Sequence, residues 1–343
     1  MRLTYQREKE ILLKQRKKRW RIVALIVALL LSVVILFSLV VLPAEYWKYY
    51  VKLPKISKRK AGEMRLHFLD VGQGDSIFIE LPDGKKMLVD GGNGTGKTAK
   101  TVIRYLNALD VKKIDYLVCT HSDSDHSGSL DLVVKQKKIG TAFIPAIDDY
   151  TINDEYAQFY AALKKKSVKI EESRSLFSLS TEKYGLVFLS PYSRETEDGQ
   201  YDEVNDGKYG SEDLNDTSAV IWLKYNGVGA LLVGDATERV EKTIVRDYLM
   251  GIYEEVGVEL EDTQILKVSH HGGDGATGNA LLATLNAKTA VISVGKDNTY
   301  GHPTQATVDR LTEFGVNTYR TDEKGTVRIT VTKEGTYTVK TTR

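Results

Sequence analysis

The residues best able to do chemistry form one short cluster, His121-Ser-Asp-Ser-Asp-His126, directly after the apolar stretch 115–120. Its imidazole and carboxylate groups, from His121, Asp123, Asp125 and His126, are ligands that divalent zinc or manganese accepts. Such clustering at the end of a buried strand predicts a metal site. The alternative interpretation of the same residues is a polar turn that caps the next helix.

Further polar residues follow apolar runs elsewhere in the chain. Asp235 follows ALLVG, His270 and His271 follow ILKVS, and Asp90 ends KKMLVD. Loops at the carboxyl ends of strands gather at one rim of a sheet, where distant residues can meet. Taken singly, each residue is an ordinary helix cap or hydrogen-bonding group. Together with the cluster at 121–126 they predict a centre for one or two divalent metal ions.

The segment Gly91-Gly-Asn-Gly-Thr-Gly-Lys97-Thr98 competes with this interpretation. It matches GxxxxGK[ST] between a predicted strand and a predicted helix, so a P-loop ATPase is an alternative function. This alternative ranks lower because it leaves the 121–126 cluster and the later histidines unexplained. Lys97 and the loop amides could instead hold a substrate phosphate.

Hydrophobic periodicity predicts a layered α/β body with mixed sheets that positions these residues. Strands are predicted at 64–71, 76–81, 85–90, 115–120, 184–189, 218–224, 229–234, 264–268, 289–294, 326–332 and 336–342. Helices are predicted at 98–109, 153–165, 237–250, 277–286 and 304–313. The polar stretch 193–215 is predicted to be a long loop beside the site.

Charge is distributed unevenly along the 343 residues. Residues 1–60 contain 15 Lys or Arg and 3 Asp or Glu, whereas the whole chain contains 48 and 46, so the remainder is net acidic. An acidic body argues against broad, non-specific nucleic-acid binding, which requires basic surface to neutralise phosphates. Cys119 is the only cysteine, which excludes an intramolecular disulfide and a cysteine-rich zinc site.

Residues 22–42 form an uncharged apolar run, long enough to cross a bilayer as a helix in contact with membrane lipid. A cleaved signal peptide is the alternative, but its apolar region would be shorter and would precede a small-x-small cleavage site. Basic residues are dense before the run and more dispersed after it. The positive-inside rule therefore predicts a cytoplasmic N-terminus and an external body.

Several motifs in order resemble those of the metallo-β-lactamase domain of ComEC-type competence proteins, over about residues 64–332. They are FLDVGQGDS, LVDGG, THSDSDHSG, NDTSAV, LLVGDA, LKVSHHG and YGHP. The resemblance implies a four-layer αβ/βα sandwich with a metal site at one edge. The ligand positions that it implies are His121, Asp125, His126, Asp235 and His271, with Asp235 bridging two ions. His271 is preferred over His270 because it immediately precedes Gly272.

The chain departs from the broad superfamily pattern HxHxDH. Asp123 stands where the second histidine would be, and the loop that would supply a middle histidine carries Asn215-Asp216. Oxygen in place of nitrogen shifts the metal preference from zinc toward manganese or magnesium, and one site is expected to be weak or empty. A single membrane helix could not conduct DNA, so a full uptake role is not expected to transfer.

The sequence therefore predicts a membrane-anchored, metal-dependent hydrolase of a phosphodiester in DNA or a nucleotide. Asp125 is expected to orient the attacking hydroxide. His302 either protonates the leaving group or is structural. Further candidates for contact with substrate or with the metal ligands are Asp75, Asp90, Lys97, Asn215 and His270.

Two other functions remain open at this stage. A non-catalytic, membrane-tethered binding module with a degenerate site is one, and hydrolysis of a β-lactam or thioester is the other. The predicted segments are a basic cytoplasmic tail (1–21), a transmembrane helix (22–42), a linker (43–62) and the hydrolase domain (63–343).

Overall fold

A computed structural model describes residues 2–40, 43–147, 149–191 and 211–343. The chain divides into two compact units, Met1–Leu53 and Pro54–Arg343. The first unit contains helix α1 (Arg2–Val40) and a 3-10 helix (Ala44–Tyr49). Its stretch Glu10–Ser38 is long and apolar enough to cross a membrane, and its most apolar window is not buried by protein.

Helix α1 includes the predicted apolar span from residue 22 as far as Val40, but the helix begins far earlier, at Arg2. Residues 41 and 42 lie outside the described part of the chain. The 3-10 helix lies within the predicted linker, and the division between the units falls there too. The predicted segment boundaries stay predictions.

The second unit alternates strands and helices. Its strands are β1 (Met64–Phe68), β2 (Ile77–Glu80), β3 (Lys86–Val89), β4 (Lys113–Val118), β5 (Lys138–Ile144), β6 (Lys169–Glu172), β7 (Gly185–Ser190), β8 (Val220–Tyr225), β9 (Val228–Leu232), β10 (Thr263–Lys267), β11 (Thr289–Ile292), β12 (Asn317–Arg320), β13 (Val327–Val331) and β14 (Tyr337–Thr341). Its helices are α2 (Gly96–Ala108), α3 (Ser124–Ser127), α4 (Leu130–Gln136), α5 (Asp154–Lys165), α6 (Ser211–Asp216), α7 (Glu238–Leu249), α8 (Asn279–Thr284), α9 (Gln305–Glu313) and α10 (Thr321–Lys324).

The strands form two mixed sheets. One has the order β14-β13-β1-β2-β3-β4-β5-β6 and the other has the order β12-β11-β10-β9-β8-β7. Strands β3 to β6 run parallel in the first sheet, and β9 to β12 run parallel in the second. The remaining neighbours pair antiparallel. This confirms the predicted mixed-sheet architecture.

Strand β8 is buried on both faces, which is why its sequence is continuously apolar from Val220 to Leu223 and does not alternate with polar residues there. Ile221 and Leu223 pack into the core between the two sheets, whereas Val220 and Trp222 pack into a second core with α7, α8 and α9. Successive side chains of a strand point to opposite faces, so a strand covered on both faces is apolar throughout.

The eight-stranded sheet is covered on its outer face in the same way. Leu88 and Leu117 lie outside the core between the sheets and are fully buried, as are Leu106 of α2 and Val133 of α4. Helices therefore flank two facing sheets, which confirms the predicted four-layer sandwich.

Some elements escaped prediction for a physical reason. Strands β6 and β12 lie at sheet edges and are only partly buried, so their sequences, KIEE and NTYR, lack apolar alternation. The predicted loop at 193–215 was wrong at its end, since Ser211–Asp216 forms helix α6. The rest of that predicted loop lies outside the described residues.

Candidate metal centre

The polar residues singled out above lie at the carboxyl ends of four strands. Asp90 follows β3, the segment 121–126 follows β4, Asp235 follows β9 and His271 follows β10. Groups of three potential ligand atoms meet there, each group within 4.8 Å. Among the described residues these groups are His121-His126-Asp235, Asp125-His126-His271, Asp75-Asp90-His126 and Asp75-Asp235-His271.

His126 lies at the middle of the centre, in the short helix α3. Its Nδ1 is 2.8 Å from Asp90 Oδ2, and its Nε2 is 3.2 Å from Asp235 Oδ2. Asp90 is itself fixed, because it accepts hydrogen bonds from the Thr120 amide (2.8 Å) and hydroxyl (2.7 Å). A ring whose Nδ1 donates to a carboxylate presents Nε2 to a metal, and the carboxylate fixes its orientation.

His271 is oriented in the same way from the other sheet. Its Nδ1 donates to the Ser293 carbonyl at 2.8 Å, and its Nε2 is 3.2 Å from both Asp125 Oδ2 and Asp235 Oδ2. The backbone at His270 and His271 is left-handed, with φ of 44° and 54°. Such strain is stored where the surrounding structure fixes a side chain for function. It aims His271 into the centre, whereas His270 belongs to none of the ligand groups among the described residues.

Four side chains, those of Asp125, His126, His271 and Asp235, have the chemistry and spacing of potential metal ligands. The Nε2 atoms of His121, His126 and His271 are buried and have no hydrogen-bond partner. Ligands about 2.1 Å from a tetrahedral ion lie about 3.4 Å from one another. The 3.2 Å separations around Asp235 Oδ2 are close to that value. These four side chains could therefore hold one ion together.

Strong fields act on the ionisable groups of this centre. Burial alone lowers the pKa of His126 and His271, but the Asp235 carboxylate raises both, that of His271 to about 10. Burial raises the pKa of Asp235, yet the neighbouring imidazoles hold it well below its usual range. The centre favours positive charge. Metal ions must displace protons there, so metal binding should weaken at low pH.

The His121 side of the centre is less complete. His121 Nε2 is 3.6 Å from Asp123 Oδ2, and the Asp123 side chain is 38% exposed. Asn215 is half-buried in α6, and its Oδ1 lacks a hydrogen-bond partner. Asp216 is already bound by Thr237 and Arg239. Fewer fixed side chains that could bind metal therefore surround His121 than surround His271.

Lys267 at the end of β10 is a residue of the centre that the sequence interpretation missed. It is fully buried, and its Nζ is 2.5 Å from Asp75 Oδ2 and 3.5 Å from Asp235 Oδ1. Burial lowers its pKa, but the two carboxylates raise it above the usual value. The sequence did contain a sign of this role, since Lys267 is a charged residue within the otherwise apolar stretch ILKV. A lysine is almost never fully buried unless it is paired, so its position in a buried strand predicts an acidic partner.

Two other candidate residues, Lys97 and His302, lie outside the groups of potential ligands in the described part of the chain. Lys97 is exposed in the first turn of α2 and belongs to none of the ligand groups found in the described ranges. His302 lies at the rim, with its ring 5.4 Å from that of His270 and 6.5 Å from that of His271. Burial and the charges of these two neighbours lower the pKa of His302.

Comparison with known proteins agrees with this geometry. Residues 69–296 match the family model described as the metallo-beta-lactamase superfamily. ComE operon protein 3 of Bacillus subtilis (strain 168) is 27% identical over 283 residues, covering 78% of this chain and 33% of that protein. Competence protein ComA of Neisseria gonorrhoeae is 27% identical over 267 residues, covering 78% and 32%.

The chain thus spans about a third of the length of these curated relatives. Among solved structures, the metallo-beta-lactamase fold protein YhfI from Bacillus subtilis is 11% identical, with a TM-score of 0.45, covering 81% of this chain and 99% of that one. The matches confirm the resemblance to ComEC-type competence proteins. The family match covers most of the chain, and the chain belongs to the metallo-β-lactamase superfamily.

Proposed function

We propose that this chain is a membrane-anchored, metal-dependent hydrolase that cleaves a phosphodiester in DNA or a nucleotide. The observation that carries the proposal is the position of Asp235 Oδ2, 3.2 Å from the Nε2 atoms of both His126 and His271. An oxygen that lies against two buried imidazoles suits a metal ligand, and Asp235 also belongs to a ligand group with His121, as a carboxylate shared between two ions would. The relative from Neisseria gonorrhoeae is named as a competence protein, which supports DNA as the substrate.

The residues divide into two sets of ligands that share Asp235. Asp125, His126 and His271 would hold one zinc or manganese ion with it, and His121 with Asp123 would hold a second, weaker one. Bound ions of this kind lower the pKa of water and stabilise charge on phosphate oxygens. Asp125 is half-buried and faces His271, where it can orient an attacking water.

A substrate screen tests the proposal. The full chain, purified in detergent with manganese or zinc, should hydrolyse single-stranded DNA and bis(p-nitrophenyl) phosphate. It should leave a cephalosporin and a thioester intact. Turnover of only the cephalosporin or the thioester would contradict the proposed substrate class.

A non-catalytic binding module is the second candidate. It is favoured by the incomplete set of ligands around His121, where Asp123 replaces a histidine and is partly exposed. Metal that binds stoichiometrically, with no turnover of any substrate in the screen, would favour the binding module.

We expect Lys97→Ala to retain metal binding and most activity, because two amides and the threonine hydroxyl of the Gly-rich loop are already bound within the protein. The Gly91 and Gly92 amides donate to the carbonyls of His126 and Asp75, both at 2.7 Å. The Thr98 hydroxyl donates to the Val71 carbonyl at 2.9 Å. ATP hydrolysis that disappears in Lys97→Ala but survives Asp125→Ala would instead support the P-loop ATPase.

We expect the second unit to lie outside the cytoplasmic membrane. The dense basic cluster at 16–21 precedes the apolar run, and cytoplasmic flanks carry such an excess. Protease added to cells with a permeable outer envelope should digest residues 63–343 while cytosolic controls survive. Protection of those residues until lysis would mean that the body and its substrate are cytoplasmic.

A further inference from the structure

Lys267 is a fully buried cation that contacts two carboxylates of the metal centre. Its ammonium group has no lone pair and cannot itself bind a metal. Its Nζ donates to the Gly234 carbonyl at 2.8 Å, and lies 2.5 Å from Asp75 Oδ2 and 3.5 Å from Asp235 Oδ1. Burying an ammonium group is unfavourable unless good geometry and partners offset the loss of hydration. The cost of burying this ammonium therefore suggests that it serves to position the carboxylates around it.

Asp75 is the main partner of that ammonium. Its side chain is 1% exposed, and it belongs to two of the four groups of potential ligands. Its backbone is held on both sides, since its amide donates to the Asp125 carbonyl at 3.1 Å and its carbonyl accepts from Gly92 at 2.7 Å. By position alone Asp75 could coordinate a metal, but the Lys267 ammonium already lies against its Oδ2.

We propose that Lys267 is a permanent internal cation of the centre, with two effects on its neighbours. It pairs with Asp75 and so excludes this carboxylate from metal coordination. It also attracts Asp235 Oδ1, so that Oδ2 faces His126 and His271. The inference rests on the metal centre of the proposed function and assigns a positioning role within it.

Removing the ammonium has a definite consequence. Lys267→Met leaves Asp75 as a buried, unpaired carboxylate, which destabilises the metal-free protein. A divalent ion can then replace the lost positive charge by binding between Asp75, Asp235 and His271. Metal should therefore stabilise this variant more than it stabilises the wild type, because binding to the folded state alone raises its stability.

The experiment measures melting temperatures of the full chain in detergent, with EDTA and with Mn²⁺. In EDTA, Lys267→Met should melt on the order of 10 °C lower than wild type. Its Mn²⁺-induced rise should exceed the wild-type rise. The double variant Lys267→Met/Asp75→Asn should recover most of the loss in EDTA and show a smaller rise than Lys267→Met, because Asp75 no longer offers a carboxylate to the ion.

Lys137→Met is the matched control. Lys137 is also buried, but its Nζ binds the Asn107 side chain and the Val111 carbonyl. This variant should lower the melting temperature in EDTA and leave the Mn²⁺-induced rise unchanged. Equal melting of Lys267→Met and the double variant in EDTA, or an unchanged Mn²⁺-induced rise in Lys267→Met, would overturn the inference.

Asp75→Asn keeps the test open if Lys267→Met does not fold. The Lys267 ammonium would then lose its main counter-charge, and its uncompensated positive charge would repel a divalent ion. The Mn²⁺-induced rise should therefore be smaller than in wild type while the number of bound Mn²⁺ equivalents stays the same, and an unchanged rise or the loss of an equivalent would overturn the inference. A wild type that shows no rise at all would contradict the proposed function instead.

Discussion

Asp235→Asn is expected to remove bound metal and to reduce phosphodiester hydrolysis by well over about 100-fold. Losing a residue that only hydrogen-bonds a metal ligand costs up to about 100-fold, and losing a ligand should cost more. Asp235 Oδ2 faces the Nε2 atoms of both His126 and His271 at 3.2 Å. Asparagine keeps the shape of the side chain but loses its charge, so both ions would lose a shared ligand. Metal content by mass spectrometry and turnover of bis(p-nitrophenyl) phosphate measure the two effects.

Asp247→Asn provides the matched control. Asp247 is also a buried aspartate, but it lies in α7 and pairs with Arg246. Its substitution should leave the metal content and the turnover unchanged. Wild-type metal content in Asp235→Asn would show that Asp235 is not a ligand.

His302→Gln is expected to slow hydrolysis of DNA by about 10²- to 10⁴-fold, the usual contribution of a general acid. His302 is half-buried at the rim, its Nδ1 has no hydrogen-bond partner, and Asn298 fixes its backbone on both sides. The lowered pKa makes the imidazolium a stronger acid, although it reduces its population at neutral pH. The measurement is the rate constant for cleavage of a DNA oligonucleotide.

Bis(p-nitrophenyl) phosphate is the internal control for this prediction. Its leaving group departs without a proton, so His302→Gln should slow its hydrolysis by less than about tenfold. An equal loss on both substrates would indicate that His302 is structural, the alternative that the sequence left open.

The candidate ligands could be found from the sequence because each follows an apolar strand. The runs that precede His121, Asp235 and His271 are buried on both faces, so they stand out as continuous apolar segments. Parallel pairing brings the ends of β9 and β10 together, and the packing of the two sheets places the end of β4 beside them. The two edge strands β6 and β12 gave no such signal because they are only partly buried.

The roles of Lys267 and Asp75 required the structure. Their side chains come from different sheets, and only the packing of those sheets brings Nζ to 2.5 Å from Oδ2. The orientation of His271 likewise depends on two consecutive left-handed residues, which sequence periodicity does not report. In the sequence, His271 was favoured over His270 only because it immediately precedes Gly272.

The central claim is that the second unit holds divalent metal in the centre around Asp235. The most direct test is the metal content of the full chain, purified in detergent and reconstituted with manganese or zinc. Wild type should retain about one tightly held equivalent or more, and His121→Ala/Asp125→Ala should retain much less. A wild-type content below about a tenth of an equivalent, equal to that of the double variant, would contradict the claim.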